Sequence, residues 1–160
     1  MSLKDNMGPN AFRHFLNLWP PFLGAGVKVS KISKDFNDIT VEMKLRKWNK
    51  NYVGTHYGGS LFSMTDPFFA MIVIKNLGKD YIVWDKSSEI KFKKPGKGKV
   101  TANFNLSAQQ LKELKDLADS NPKAEPTYIV QIKDEQGDVV AEVSKTLYVR
   151  RKDKPGKPKP

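Results

Sequence analysis

From Phe68 to Ile74 the chain reads Phe-Phe-Ala-Met-Ile-Val-Ile and carries no polar side chain. A helix built from it is apolar on every side, and such a helix is buried rather than laid on a surface. The rest of the chain therefore has to wrap it. Gly58 and Gly59 open the surrounding stretch, Ser60 can cap it, and Gly78 follows Leu77 as a helix stop would. The spacing predicts one helix from about Ser60 to Leu77. Asp66 and Pro67 interrupt it, and its unbroken apolar core is well short of the roughly 20 residues a bilayer needs, so no membrane span is expected.

Asp66 is the polar residue that this stretch has to accommodate. At helical spacing it shares a face with Gly59, Phe62, Ser63 and Ala70, and a buried carboxylate there needs a partner or the mouth of a cavity. Two readings follow. The carboxylate is bonded to the Ser63 hydroxyl or a backbone amide, or it is the acid, base or nucleophile of a site. Pro67 removes a helix hydrogen bond near Ser63, and the resulting kink serves packing or aims Asp66.

A chain of 160 residues fits one domain with a real core. The lack of cysteine excludes disulfides and thiolate chemistry. His14 and His56 stand far apart with no acidic helper motif, so neither a metal nor another cofactor is expected. The polar start Met-Ser-Leu-Lys-Asp-Asn does not read as a signal peptide, which makes the cytoplasm the expected location. Nearly half of the formal net charge of +11 comes from Arg150, Arg151, Lys152, Lys154, Lys157 and Lys159, set against Asp153. This Pro/Lys tail cannot bury apolar surface and is expected to be disordered. It can touch a polyanion or simply keep the protein soluble, and it lacks the interleaved aromatics of a nucleic-acid site.

In chain order, Asn10 to Leu18 is amphipathic and ends at Pro20-Pro21, ahead of a turn through Gly24 and Gly26. Val27 and Val29, then Ile39, Val41, Met43 and Leu45, alternate with polar residues as an antiparallel hairpin does. After the apolar helix come Tyr81 to Asp85, then Ile90 and Phe92. The turn Lys94-Pro-Gly-Lys-Gly98 leads into Val100, Ala102, Phe104 and Leu106, which predicts a second hairpin. Ser107-Ala-Gln-Gln110 is a capping box for a helix with Leu111, Leu114, Leu117 and Ala118 on its apolar stripe. Strands Thr127 to Lys133 and Val139 to Val149 close the chain. The expected fold class is α+β: six mostly antiparallel strands curl around one buried helix, residues 1–26 lead in, 27–150 form the domain and 151–160 are the tail. One sheet does not cover every side of that helix, so a second subunit is expected, in a homodimer or homotetramer.

The order of elements, with Asn51, Gly54, Gly58-Gly59 and Asp66 in register, resembles the hotdog fold of PaaI-like acyl-CoA thioesterases. Tyr57-Gly-Gly, Asp66-Pro67 and Trp84-Asp-Lys86 are closer still to the DUF4442 relatives of that superfamily, and the likeness covers about residues 27–150. The thioesterase histidine falls at Tyr57 here, with His56 one residue early. The resemblance implies that Asp66 is a general base or nucleophile and that Asn51 binds or positions the substrate or water. It implies that the Gly58 and Gly59 amides face the thioester oxygen, and that Asp66 faces the Gly58 turn of a partner. The amides that a helix start leaves unpaired suit such an oxyanion, though apart from the resemblance a tight turn before a buried helix is the simpler account of the two glycines.

His56, Tyr57 and Ser63 are candidate substrate contacts. Trp48, Trp84 and Tyr81 line an acyl slot or belong to the core. Lys93 and Lys94, with Lys97 and Lys99, meet coenzyme A phosphates as point charges or sit at a solvated hairpin tip. Hydrolysis of a fatty or aryl acyl thioester is the first functional reading. A non-catalytic binder of acyl-CoA or acyl chains is the second, and nucleic-acid binding through the tail is the third.

Overall fold

Alternation of apolar and polar residues builds the sheet. In the computed structural model, which describes residues 7–153, the strands are β1 (Val27–Ile32), β2 (Asp38–Lys44), β3 (Tyr81–Phe92), β4 (Lys99–Asn105), β5 (Thr127–Asp134) and β6 (Val139–Arg151). They form one antiparallel sheet in the order β1-β2-β4-β5-β6-β3. Five helices accompany it: α1 (Pro9–Asn17), α2 (Pro20–Ala25), α3 (Gly58–Ser63), α4 (Phe68–Leu77) and α5 (Ala108–Ser120). The sheet curls around α4, which is the expected α+β hotdog architecture.

Val29, Ile39, Val41, Phe104, Ile132, Val143 and Leu147 are fully buried on the concave face, and Phe68, Ile72 and Val73 of α4 meet them. Phe68 lies 5.0 Å from Phe104 and 5.7 Å from Phe22, between ring centroids, and Phe69 lies 5.2 Å from Phe104. Each such pair adds about 0.5–1.5 kcal/mol to what burial of the rings contributes.

The expected single helix is two. Residues Met64–Pro67 separate α3 from α4, and Pro67 stands just before α4 instead of kinking a continuous helix. The Thr65 hydroxyl donates to the Phe62 carbonyl at 2.8 Å and satisfies the end of α3. The proline, which lacks an N–H and restricts the residue before it, falls where a new helix can begin. Asp66 therefore lies on a turn and not on a helix face. Tyr57, not Ser60, occupies the N-cap of α3, without a side-chain cap.

Pro20-Pro21 ends α1 as expected but also opens α2, because proline fits the first helical positions. The expected hairpin through Lys94–Gly98 does not form. β3 is one continuous strand paired with β6, while β4 lies between β2 and β5. Alternation showed which face each strand buries, but not its neighbour. Leu117, assigned to the apolar stripe of α5, is 54% exposed, whereas Leu111, Leu114 and Ala118 are buried. The capping box is present: the Gln110 amide donates to Ser107 Oγ and the Ser107 amide to Gln110 Oε1.

Part of the cover expected from a second subunit comes from the chain itself. The Asn17 side chain both donates to the Val29 carbonyl, at 3.0 Å, and accepts from its amide, at 2.7 Å. This docks α1 on edge strand β1, and Phe12, Leu16 and Trp19 then face Met71 and Ile74 of α4 across an apolar groove. β6 runs to Arg151, three residues short of the part of the tail that lies outside the described residues, 154–160. Among the described residues no helix is long and apolar enough to cross a membrane.

Candidate active site

The loop between β2 and α3 is organised by one side chain. Asn51 Oδ1 accepts from the amides of Val53, at 3.1 Å, and Thr55, at 2.9 Å, and Nδ2 donates to Thr55 Oγ1 at 2.9 Å and to the His56 carbonyl at 3.4 Å. Those contacts use both donors and both acceptor directions of the amide. Asn51 in this state shapes the loop that presents His56.

His56 is 3% exposed and lies against the turn that follows β3, with its amide donating to the Gly96 carbonyl at 3.0 Å. Its Nε2 is 3.1 Å from the Gly98 carbonyl. A carbonyl can only accept, so Nε2 carries the proton and Nδ1 holds a lone pair. That Nδ1 is buried and has no hydrogen-bond partner among the described residues. Burial pushes the imidazole pKa below its ordinary value, against the pull of the Gly98 bond, so the ring favours its neutral form.

These elements enclose a cleft of about 450 Å³ lined by Asn51, Thr55, His56, Gly58, Leu61 and Phe92, with Lys93, Lys94 and Gly96 at the adjoining turn. Gly58 begins α3, and the amides at a helix start have no carbonyl within the helix to bond. A Cβ there would stand 2.9 Å from Phe92 Cζ, so glycine keeps this backbone in reach of a ligand. At Gly59 a Cβ would meet the neighbouring Tyr57 ring at 2.5 Å. The two candidate lysines differ. Lys94 Nζ is 2.6 Å from both Asp134 and Asp138, whose hydrogen bonds hold its pKa above the ordinary value, while Lys93 has no ion-pair partner among the described residues.

Of the residues singled out in the sequence, Asn51, His56, Gly58, Lys93 and Lys94 meet at this cleft. Asp66, Ser63, Trp84, Tyr57 and Gly59 are not part of its lining. Ser63 accepts the Asp66 amide through its carbonyl at 3.2 Å. Trp84 and Trp48 are 52% and 64% exposed and so are not core, and Trp84 stacks on Tyr148 at 4.6 Å. Tyr81 is half-buried, and its hydroxyl donates to Asp119.

Asp66 belongs to a second cluster. Its carboxylate is 61% exposed and accepts from Lys145 Nζ at 3.0 Å, although Lys145 itself is completely buried. Asp85 Oδ1 is 3.3 Å from the same ammonium, an ion pair without hydrogen-bond geometry. Burial pushes the Asp85 pKa up, Lys145 draws it down and Asp66 pushes it up further. Lys145 was not singled out in the sequence, and Asp85 only as the middle of Trp84-Asp-Lys86, with no role given to it. The available signal was the row Val143, Lys145, Leu147, Val149, in which alternation turns a lysine toward the core. Among the described residues no group of three or more His, Asp or Glu could hold a metal ion.

Curled sheet, wrapped helix and cleft at the helix start define a hotdog-fold protein. The chain belongs to the DUF4442 family, described as a domain of unknown function, whose model matches residues 8–149. The fold is shared with a Pseudomonas aeruginosa protein of unknown function called a probable thioesterase, at 24% identity and a TM-score of 0.76 over 87% of this chain and 93% of that one. It is shared with a Haemophilus influenzae thioesterase, at 16% identity and a TM-score of 0.66 over 94% and 96% of the two chains. The phenylacetic acid degradation protein PaaI of Thermus thermophilus, as its Asn-to-Asp mutant, has 22% identity and a TM-score of 0.57 over 81% and 98%. No curated protein matches the chain.

Proposed function

We propose that the protein hydrolyses acyl thioesters, with Asp66 of one protomer serving the Gly58 cleft of its partner. The observation that carries this reading is the accessible carboxylate of Asp66, held by a buried ammonium at the far end of α3 from the cleft where His56 and the Gly58 amide meet. The thioesterase names of structural relatives agree with it. Asp66 either takes a proton from the water that attacks the carbonyl carbon or attacks that carbon itself. The oxyanion so formed faces the amide of Gly58, the one of the two glycines that lines the cleft. Breaking the carbon–sulfur bond then frees the thiol, and water supplies the oxygen and hydrogen of the acid and thiol products. Lys93 is placed to meet a phosphate of a coenzyme A-type carrier.

This reading calls for a partner, because the cleft lining does not include Asp66. Among the described residues, edge strand β3 is 12 residues long and pairs on one side only, with Trp84 and Phe92 exposed along it. Long unpaired edges of this kind are sites of strand addition. Domain limits at residues 27 and 150 and a cytoplasmic location belong to the same proposal.

A second reading, non-catalytic binding of acyl-CoA or acyl chains, is favoured by Tyr57 at the family histidine position and by the full internal engagement of Asn51. Thiol release by the wild type and by Asp66→Asn separates the two: a hydrolase loses turnover and keeps ligand affinity, whereas a binder has no turnover to lose.

A further inference from the structure

Lys145 sits in an otherwise apolar row, with Val143 and Leu147 on either side along β6 and no exposed surface of its own. Taking an ammonium out of water is costly, and apolar replacements of buried ion pairs are often neutral or stabilising. Nothing about packing asks for a lysine here.

Its surroundings do. The Asp66 carboxylate reaches it from the turn between α3 and α4, Asp85 reaches it from β3, and the Phe62 ring of α3 lies 5.9 Å from Nζ. The β3–β6 register shifts between Asp85 and Ser87, so that Asp85 pairs with Leu147 and Ser88 with Lys145. The shift keeps Asp85 on the inward face beside the lysine. A bulge that re-aims one side chain is a built feature of a strand.

We infer that Lys145 is a positioning residue: its ammonium, anchored by Asp85, fixes the orientation of the Asp66 carboxylate so that it meets the substrate in one geometry. This rests on the reading of Asp66 as the reacting carboxylate. Lys145 touches no substrate in this arrangement. Asp66 keeps 61% solvent access, but the Asp85 Oδ1 that faces the ammonium is buried, so removing the ammonium alone leaves that carboxylate uncompensated.

The test is Lys145→Met together with Asp85→Asn, which keeps the apolar row filled and leaves no carboxylate charge unpaired against it. The kcat of this double variant for thiol release falls about 100-fold, the scale of a misplaced reacting group, with KM nearly unchanged and Tm equal to or above that of the wild type. Unchanged kcat overturns the inference, and so does a kcat loss that comes with a lowered Tm, which marks a structural role. The side-chain ammonium signal of Lys145 in a 1H–15N spectrum gives a readout independent of turnover. It is protected from exchange in the wild type and shifts in Asp66→Asn; a signal indifferent to that change overturns the pairing. If the wild type releases no thiol from any thioester, the hydrolase reading fails, and the ammonium signal alone decides the contact.

Discussion

His56 and Gly98, 42 residues apart, are joined by the 3.1 Å contact between the imidazole Nε2 and the backbone carbonyl, and this contact fixes which ring nitrogen carries the proton. The burial behind it lowers the histidine pKa from the ordinary 6.5, so the unfolded chain binds that proton more readily than the folded one. The resulting stability is whole above about 6.5 and is lost as pH falls toward the lower folded value. Thermal melts from neutral pH down to about 5 are expected to show a decline in Tm that is smaller in His56→Gln. Equal declines in the two proteins would place the protonating group elsewhere.

Two glycines at the cleft are expected to respond differently to alanine. At Gly96 a Cβ would stand 2.9 Å from Val140 Cγ1 and 3.2 Å from His56 Cδ2, and both side chains are buried. Gly96→Ala therefore costs about 1–3 kcal/mol in denaturant melts, as overpacking does. At Gly58 the obstacle is the tip of Phe92, whose ring is 57% exposed and can swing away. Gly58→Ala costs under about 1 kcal/mol, within the range of ordinary surface changes, while narrowing the cleft and weakening ligand binding. Equal stability losses would contradict this assignment of mobile and fixed neighbours.

What the sequence revealed follows the range of each signal. The β1–β2 hairpin, the β5–β6 hairpin and the Ser107 capping box involve residues close along the chain, and alternation or spacing exposes them directly. The pairing of β3 with β6 joins Ile90 to Val143, and no local pattern distinguishes that mate from β4. Asp66 stood out because an apolar stretch had to accommodate it, yet its place on a turn depended on how Thr65 and Pro67 divide the helix. The cleft was legible where Asn51, His56 and Gly58 fall within one loop and helix start. Lys145 was hidden because a lysine in a strand reads as an outward residue unless its alternation phase is followed.

The edge of β3 predicts the assembly state. Sedimentation of the wild type is expected to give a dimer, and Trp84→Asp, which sets a charge on the unpaired edge outside the cleft lining, is expected to shift it toward monomer and reduce thiol release together. A wild-type monomer that still turns over thioesters would contradict the shared cleft.

The most direct measurement is free-thiol release from short, medium and long acyl-CoAs by the wild type and by Asp66→Asn, with both proteins confirmed as folded. The account predicts turnover on at least one chain length and a fall of at least about 100-fold in Asp66→Asn, with binding of that acyl-CoA retained. Turnover that survives the substitution would contradict the role of Asp66, and a wild type that binds acyl-CoA without releasing thiol would favour the binding protein over the hydrolase.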